Sequence, residues 1–208
     1  MDKLLEEAKQ REYFYALYSR IFLLEADTQL LKTIEGDEVK EFFPNLFDWD
    51  KYKTLSHQEL IDQHLNIDFT DISLLHIMPY ESFYVRDDGM IESGGDNPIH
   101  AFYEKFNFIV EKDKARVVSP DHIAIEMEFM YMLINSSMDA LKNADISSYK
   151  DFVDMQIEFL EKHILRFAAQ YFIAVKAESI TPFYHDSAMM ALEFLLSDYQ
   201  QLKEQSDA

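Results

Sequence analysis

The chain has 208 residues, with 39 Asp+Glu against 19 Lys+Arg and a formal net charge of −20. It contains no Cys and only 4 Gly, yet 48% of its residues are hydrophobic and 14% are aromatic. The apolar content excludes disorder, the missing Cys excludes disulfides and thiolate chemistry, and the negative field disfavours nucleic acid and anionic membrane as partners. Scarce glycine leaves few left-handed positions for tight hairpins or phosphate-cradling loops, so barrels, sandwiches and nucleotide-binding α/β folds are disfavoured. Basic ligands such as an arginine-bearing peptide are favoured, although surplus carboxylates also simply keep a surface soluble.

The N-terminus, Met1-Asp2-Lys3-Leu4-Leu5-Glu6-Glu7, has neither a basic start nor a long apolar run, and no uncharged stretch approaches a membrane span. A cytoplasmic protein without an integral membrane segment is expected. Residues 3–24 read as a helix, with Leu4, Ala8, Tyr15, Tyr18 and Phe22 on one stripe and Glu6, Lys9, Arg11 and Glu12 mostly off it. Short helices are expected over 28–35 and 37–43, separated by Gly36 and stopped by Pro44. Ser56 and Glu59 have capping-box spacing and open a helix expected to reach about residue 66.

Residues 67–98 hold three of the four glycines and two prolines, which predicts a long irregular segment. Its Pro79-Tyr80-Glu81-Ser82-Phe83-Tyr84 stretch offers aromatics with polar tips, suited either to a peptide-binding surface or to tucking into the core. A helix is expected from Pro98 to about 111, with Phe102, Phe106 and Ile109 on one face. Ser119-Pro120 reads as a cap and first-turn proline. Ile123, Met127, Met130, Ile134, Met138 and Leu141 then make a stripe lasting to about 142. Methionines at this spacing fill a core more often than they line an adaptable groove. A central helix is predicted from Ser147 or Ser148 to about 176, and Thr181-Pro182 opens a last one to about 203. The fold class is all-α, a single-domain helical bundle over 1–208.

Two chemistries compete at Pro120-Asp121-His122 and Glu126. First-turn charge complementarity with a His122–Glu126 pair is the plainer reading. A metal-dependent helical enzyme would join His122 and Glu126 to His163, Glu158 or His185-Asp186. Dinuclear carboxylate bundles need Glu-x-x-His on each of two helices, and neither 120–142 nor 148–176 carries one. A single His-Asp pair is a weak sign of a phosphohydrolase. No phosphate-binding loop or catalytic triad spacing is present, so no cofactor and no catalytic residue are assigned.

The Pro79–Tyr84 motif, Tyr103, the run Pro120-Asp121-His122-Ile123-Ala124-Ile125-Glu126-Met127-Glu128-Phe129-Met130, the Phe159-Leu160-Glu161-Lys162-His163 stretch and Pro182-Phe183-Tyr184 together resemble the TorD/DmsD/NarJ family. The resemblance covers roughly residues 10–195. It departs at Val118-Ser119, where many members have Glu-Pro, and in lacking a Trp shortly after the later His, where Phe167 is nearby. It implies a cytoplasmic, all-helical chaperone that is not an enzyme. Such a chaperone binds the twin-arginine signal peptide of a partner apo-molybdoenzyme and delays export until the molybdopterin cofactor is inserted. Carried over by motif, the peptide site comprises Phe69, Pro79, Tyr80, Tyr84, Asp121 and His122. A peptide with two guanidiniums beside an apolar stretch needs carboxylates and an apolar groove, which makes Asp121 the first Arg-facing acid and Glu81 a second, with Phe69, Tyr80 and Tyr84 as the groove and Met127 or Met130 beneath. A guanine-nucleotide affinity attributed to some members has no supporting phosphate motif here. The mid-chain loop is also compatible with a homodimer formed by exchanging elements.

Overall fold

The computed structural model describes residues 1–206. In chain order the helices are α1 (Asp2–Leu23), α2 (Thr28–Ile34), α3 (Asp37–Lys40), α4 (Pro44–Asp48), α5 (Asp50–Thr54), α6 (His57–Leu60) and α7 (Asn66–Thr70). There follow α8 (Glu81–Val85), α9 (His100–Lys105), α10 (Lys112–Ala115), α11 (Ile123–Lys142), α12 (Ile146–Lys162), α13 (Ala168–Glu178) and α14 (Pro182–Ser206). Among the described residues there is no strand, although Tyr80 and His122 make an isolated antiparallel bridge. The all-α expectation is met. No described helix is long and apolar enough to cross a membrane.

Two compact units organise the packing. The first comprises residues 1–20, 80–168 and those from 194 onward. Its core is the aromatic set Tyr103, Phe108, Phe129 and Phe159, with Phe129 and Phe159 at 4.7 Å between ring centroids. The α11 stripe read from the sequence is buried throughout, so Met127, Met130 and Met138 fill core rather than line a groove. Helices α11 and α12 are joined through Ala144 at φ 58, with Asp145 N donating to Ala140 O and Ala144 N to Leu141 O. This is a left-handed helix end completed without glycine. The cap of α12 is Asp145, whose side chain accepts from Ser148 N, rather than Ser147 or Ser148.

Three further expectations are corrected in this unit. Helix α9 stops at Lys105 because Asn107 takes φ 51 and Phe108 N donates to Tyr103 O, which turns the chain and packs Phe108 on Tyr103. Ile109 is consequently 82% exposed instead of sharing a face with Phe102. The predicted helix 148–176 is two helices, broken at His163 (φ −126, ψ −85) and a 3-10 turn over Ile164–Arg166. Arg11 is buried, donating to Asp198 and to Gln156 Oε1 at 2.6 Å, while Tyr15 donates its hydroxyl to Asp198 at 2.8 Å. A buried guanidinium is tolerated because its charge and hydrogen bonds are matched.

The second unit comprises residues 21–79 and 169–193. Its aromatic core includes Phe22 against Phe172 at 5.1 Å, Phe43 stacked on Phe183, and Phe69 beside Tyr184. The capping box at Ser56 and Glu59 is formed. Helical turns then continue past residue 66 through α7, flanked by π-helical turns at Ile61–Leu65 and Asp71–His76. The apolar pattern explains the continuation: Leu65, Phe69 and Ile72 recur at helical spacing and all are buried. The irregular part of 67–98 is therefore confined to 77–80 and 86–98.

Two buried carboxylates fasten the turns of this unit. Asp68 accepts from Ile180 N at 3.0 Å, Thr181 N at 2.7 Å and the Thr181 hydroxyl at 2.5 Å, holding the turn that leads into α14. Asp186 accepts from Asn45 N and Leu46 N at the start of α4, where Phe43 has no side chain able to cap.

Candidate functional site

The first unit contains a cleft of about 460 Å³ lined in part by Glu81, Glu92, Asp96, Asp121, Arg86 and Arg166. Helix α8 begins at its wall, and Tyr80 cannot cap it. Asp121 does so from across the fold: its carboxylate accepts from Ser82 N at 2.7 Å, and its backbone oxygen accepts from Glu81 N at 2.9 Å. Asp121 is fully buried, and its other carboxylate oxygen has no hydrogen-bond partner. A carboxyl oxygen without a partner is costly in a protein interior, so the arrangement suits an added N–H donor.

Glu81 is engaged differently. It is buried and bound by His163 Nδ1 at 2.7 Å and by Arg166 at 3.2 Å, so the second acid read from the sequence already has internal partners. Glu92 pairs with Arg86, which also donates to Asp88 at 2.9 Å, and Asp96 is exposed at the rim. The irregular stretch is held by polar bonds: Glu92 N donates to the Ser82 hydroxyl, and the Ser119 hydroxyl donates to Glu92 O at 2.6 Å. Gly89 sits at φ 61, where a side chain would be strained.

Of the six residues carried over by motif, the structure brings Tyr80, Asp121 and His122 together. Tyr80 meets the His122 ring edge-on at 5.2 Å, and its hydroxyl accepts from Val118 N at 3.2 Å. The cap of α11 is His122, whose Nδ1 accepts from Ala124 N at 3.1 Å, displacing the expected Ser119-Pro120 start. Burial holds the imidazole pKa down to about 3, which keeps it neutral. Tyr84, half-buried, stacks on Phe167 at 5.6 Å, and burial pushes its phenol up to about 12. Pro79 is buried, and Phe69 belongs to the second unit, packed on Tyr184.

Glu126, on α11, is fully buried with neither carboxylate oxygen hydrogen-bonded. Burial raises its pKa well above the ordinary value, and the neighbouring Glu81 and Asp121 raise it further. Tyr103, whose hydroxyl donates to Pro120 O at 3.2 Å, is likewise raised, by burial first and then by Glu126, Asp121 and Glu81. The metal alternative needs His122, Glu126, His163 and His185 to converge. His122 and His163 have their Nδ1 atoms occupied, and His185 lies in the second unit beside Asp186. Among the described residues, no group of three or more His, Asp or Glu side chains is placed to hold a metal ion.

The motif does not include Arg166, Glu92 or Asp96, and the sequence marks Glu126 only as a pairing or metal residue. The placing of Arg166, Glu92 and Asp96 at one cleft depends on the helix break at His163 and on the polar bonds of the 86–98 stretch, neither of which has a local sequence signal.

The fold and cleft define an all-helical protein with an acidic recess built around one incompletely satisfied aspartate. The chain belongs to the nitrate reductase delta subunit family, whose model matches residues 37–172, and thus to the TorD-like maturation chaperones. It is 24% identical over 209 residues to the chaperone protein TorD of Vibrio atlanticus (strain LGP32), covering 93% of this chain and 95% of that protein. It is similar to the chaperone protein TorD of Aliivibrio fischeri (strain ATCC 700601 / ES114) at 24% identity, covering 82% and 84%, respectively. The chaperone protein TorD of Photobacterium profundum is 22% identical, with 95% of this chain and 96% of that protein covered. No solved structure matches the chain significantly.

Proposed function

We propose that this protein binds the twin-arginine signal peptide of an apo-molybdoenzyme in the cytoplasm and holds it while the cofactor is inserted. The family membership supports a role in maturation, and the buried Asp121 oxygen left without a partner, in a residue that lines the acidic cleft, carries the peptide reading. A guanidinium can supply the missing donors to that oxygen, and the surplus of carboxylates over guanidiniums in the lining favours its approach. Tyr84 and the 38% exposed Phe83 provide apolar area beside the cleft for the uncharged part of the peptide. Tyr80 and His122 hold the Asp121 segment in position. Phe69 and Pro79 stay in the proposal as buried supports of their own segments.

The test is calorimetric titration with a synthetic twin-arginine signal peptide, using Asp121→Asn. Asparagine retains an oxygen for Ser82 N while removing the charge. Affinity is expected to fall by a factor equivalent to ~1.5–3 kcal/mol, with the fold preserved by circular dichroism. Unchanged affinity in the folded variant removes Asp121 from the site.

A further inference from the structure

Glu81 has two partners of different character. Its Oε2 is bound at 2.7 Å by Nδ1 of His163, which is buried, while its Oε1 accepts from Arg166 Nη1 at 3.2 Å. The Arg166 side chain is 46% exposed and lines the cleft together with Glu81. Other arginines of the same unit are gripped more fully. Arg86 donates to both oxygens of Asp88, at 2.9 and 2.6 Å, and also to Glu92. Arg11 donates to both oxygens of Asp198 and to Gln156. Arg166 meets Glu81 through Nη1 alone; the same nitrogen lies 3.5 Å from Lys162 O, and among the described residues its Nε and Nη2 donate to nothing. One N–H on an exposed side chain makes an ion pair of small net worth. Arg166 also lines a second recess of about 480 Å³, which holds Pro98, Phe102 and the exposed Glu161. The side chain therefore has space to leave Glu81 without being buried elsewhere.

We infer that Arg166 is an internal stand-in for a guanidinium of the client peptide, neutralising Glu81 in the free protein and displaced when a peptide arginine takes the same carboxylate oxygen. The exchange is guanidinium for guanidinium. Buried Glu81 keeps a cationic partner before and after binding, and its bond to His163 is undisturbed. Affinity is then set by competition, and Arg166 determines specificity as well. A planar guanidinium reproduces the geometry that Arg166 gives up, whereas a lysine offers a point charge and a more strongly hydrated one, so it competes less well. This inference rests on the peptide reading and adds to it a second Arg-facing acid together with the residue that masks it.

The experiment is calorimetric titration of a synthetic twin-arginine signal peptide into wild type and Arg166→Gln at low and high salt. Arg166→Gln should bind about threefold to tenfold more tightly. Lys162→Gln removes a neighbouring charge that pairs with Glu158 rather than Glu81, so it reports the general field alone. Its gain should be smaller and should disappear at high salt, where the Arg166→Gln gain persists. Replacing the two peptide arginines singly by neutral citrulline identifies the one that meets Glu81: for that peptide, Arg166→Gln and wild type should bind alike. Equal or weaker binding by Arg166→Gln, an equal gain by Lys162→Gln, or a gain that survives both citrulline replacements overturns the inference while leaving the peptide reading intact. Failure of Arg166→Gln to fold by circular dichroism does the same, because a stand-in is dispensable to the fold. Absence of binding by all three proteins overturns the peptide reading, and this inference with it.

Discussion

Asp68 and Asp121 are the same device in two states of completion. Each is buried and each accepts backbone N–H groups from a segment remote in sequence. In the second unit, Asp68 has both oxygens satisfied, by Ile180 N, Thr181 N and the Thr181 hydroxyl. In the first unit, Asp121, which lines the cleft, has one oxygen on Ser82 N and the other buried without a partner. The difference separates a carboxylate whose interactions are all internal from one with capacity left for a ligand. Burial and family motif do not make that distinction; the hydrogen-bond accounting does.

Removing Asp68 gives the largest expected effect on that comparison. Asp68→Ala leaves buried donors at Ile180 and Thr181 unmatched and should lower unfolding stability by roughly 2–4 kcal/mol, read from the denaturant midpoint. Asp121→Asn should instead leave stability within about 1 kcal/mol of wild type and act on peptide affinity as stated above. If both aspartates acted only on stability, Asp121 would be a structural cap like Asp68.

The pH dependence of stability sharpens the comparison further, because His122 and Glu126 beside Asp121 pull in opposite directions. His122 has its pKa depressed from 6.5 to about 3, so its contribution is fully present above 6.5 and is lost as pH falls toward 3. Glu126 is raised from 4.5, so the folded state keeps its proton longer than the unfolded one, and stability falls as pH rises from 4.5 toward the raised value. Between 4.5 and 6.5 the two slopes oppose each other, each ~1.4 kcal/mol per pH unit at most. Glu126→Gln should therefore gain stability relative to wild type as pH rises through that window, while His122→Asn should gain relative to wild type as pH falls. Asparagine can still accept from Ala124 N, so the comparison isolates titration from loss of the cap. Equal pH profiles for all three proteins would show that neither group is perturbed.

The smallest effect lies away from both aspartates. Ala144 occupies φ 58 at the end of α11, and Ala144→Gly should stabilise by about 0.5–1 kcal/mol in thermal or denaturant unfolding, with no change in peptide binding. It serves as a control that stability and affinity are separable in this unit.

How much is legible in the chain varies from element to element. Helix α11 is readable because its whole apolar stripe is also its buried stripe. The break at His163 is not, since apolar residues continue at helical spacing through Phe167 and Tyr171, while at the break the His163 side chain meets Glu81 from a distant segment. Arg11 reads as part of the polar face, because nothing near it in sequence announces Asp198 and Gln156 as its partners. At the site, Asp121 and His122 stand out by motif, but Asp121's unsatisfied oxygen and the burial of Glu126 become visible only once α8 is placed against them.

The sequence by itself determined the all-helical class, most helix positions and the acidic character, because helical periodicity, Pro and Ser punctuation and net charge are properties of neighbouring residues or of simple sums. Tertiary structure alone decided which carboxylates are completed and which are left open. Hydrogen-bond satisfaction depends on donors brought together from remote segments: Ile180 and Thr181 to Asp68, Ser82 to Asp121, His163 and Arg166 to Glu81, and none to Glu126.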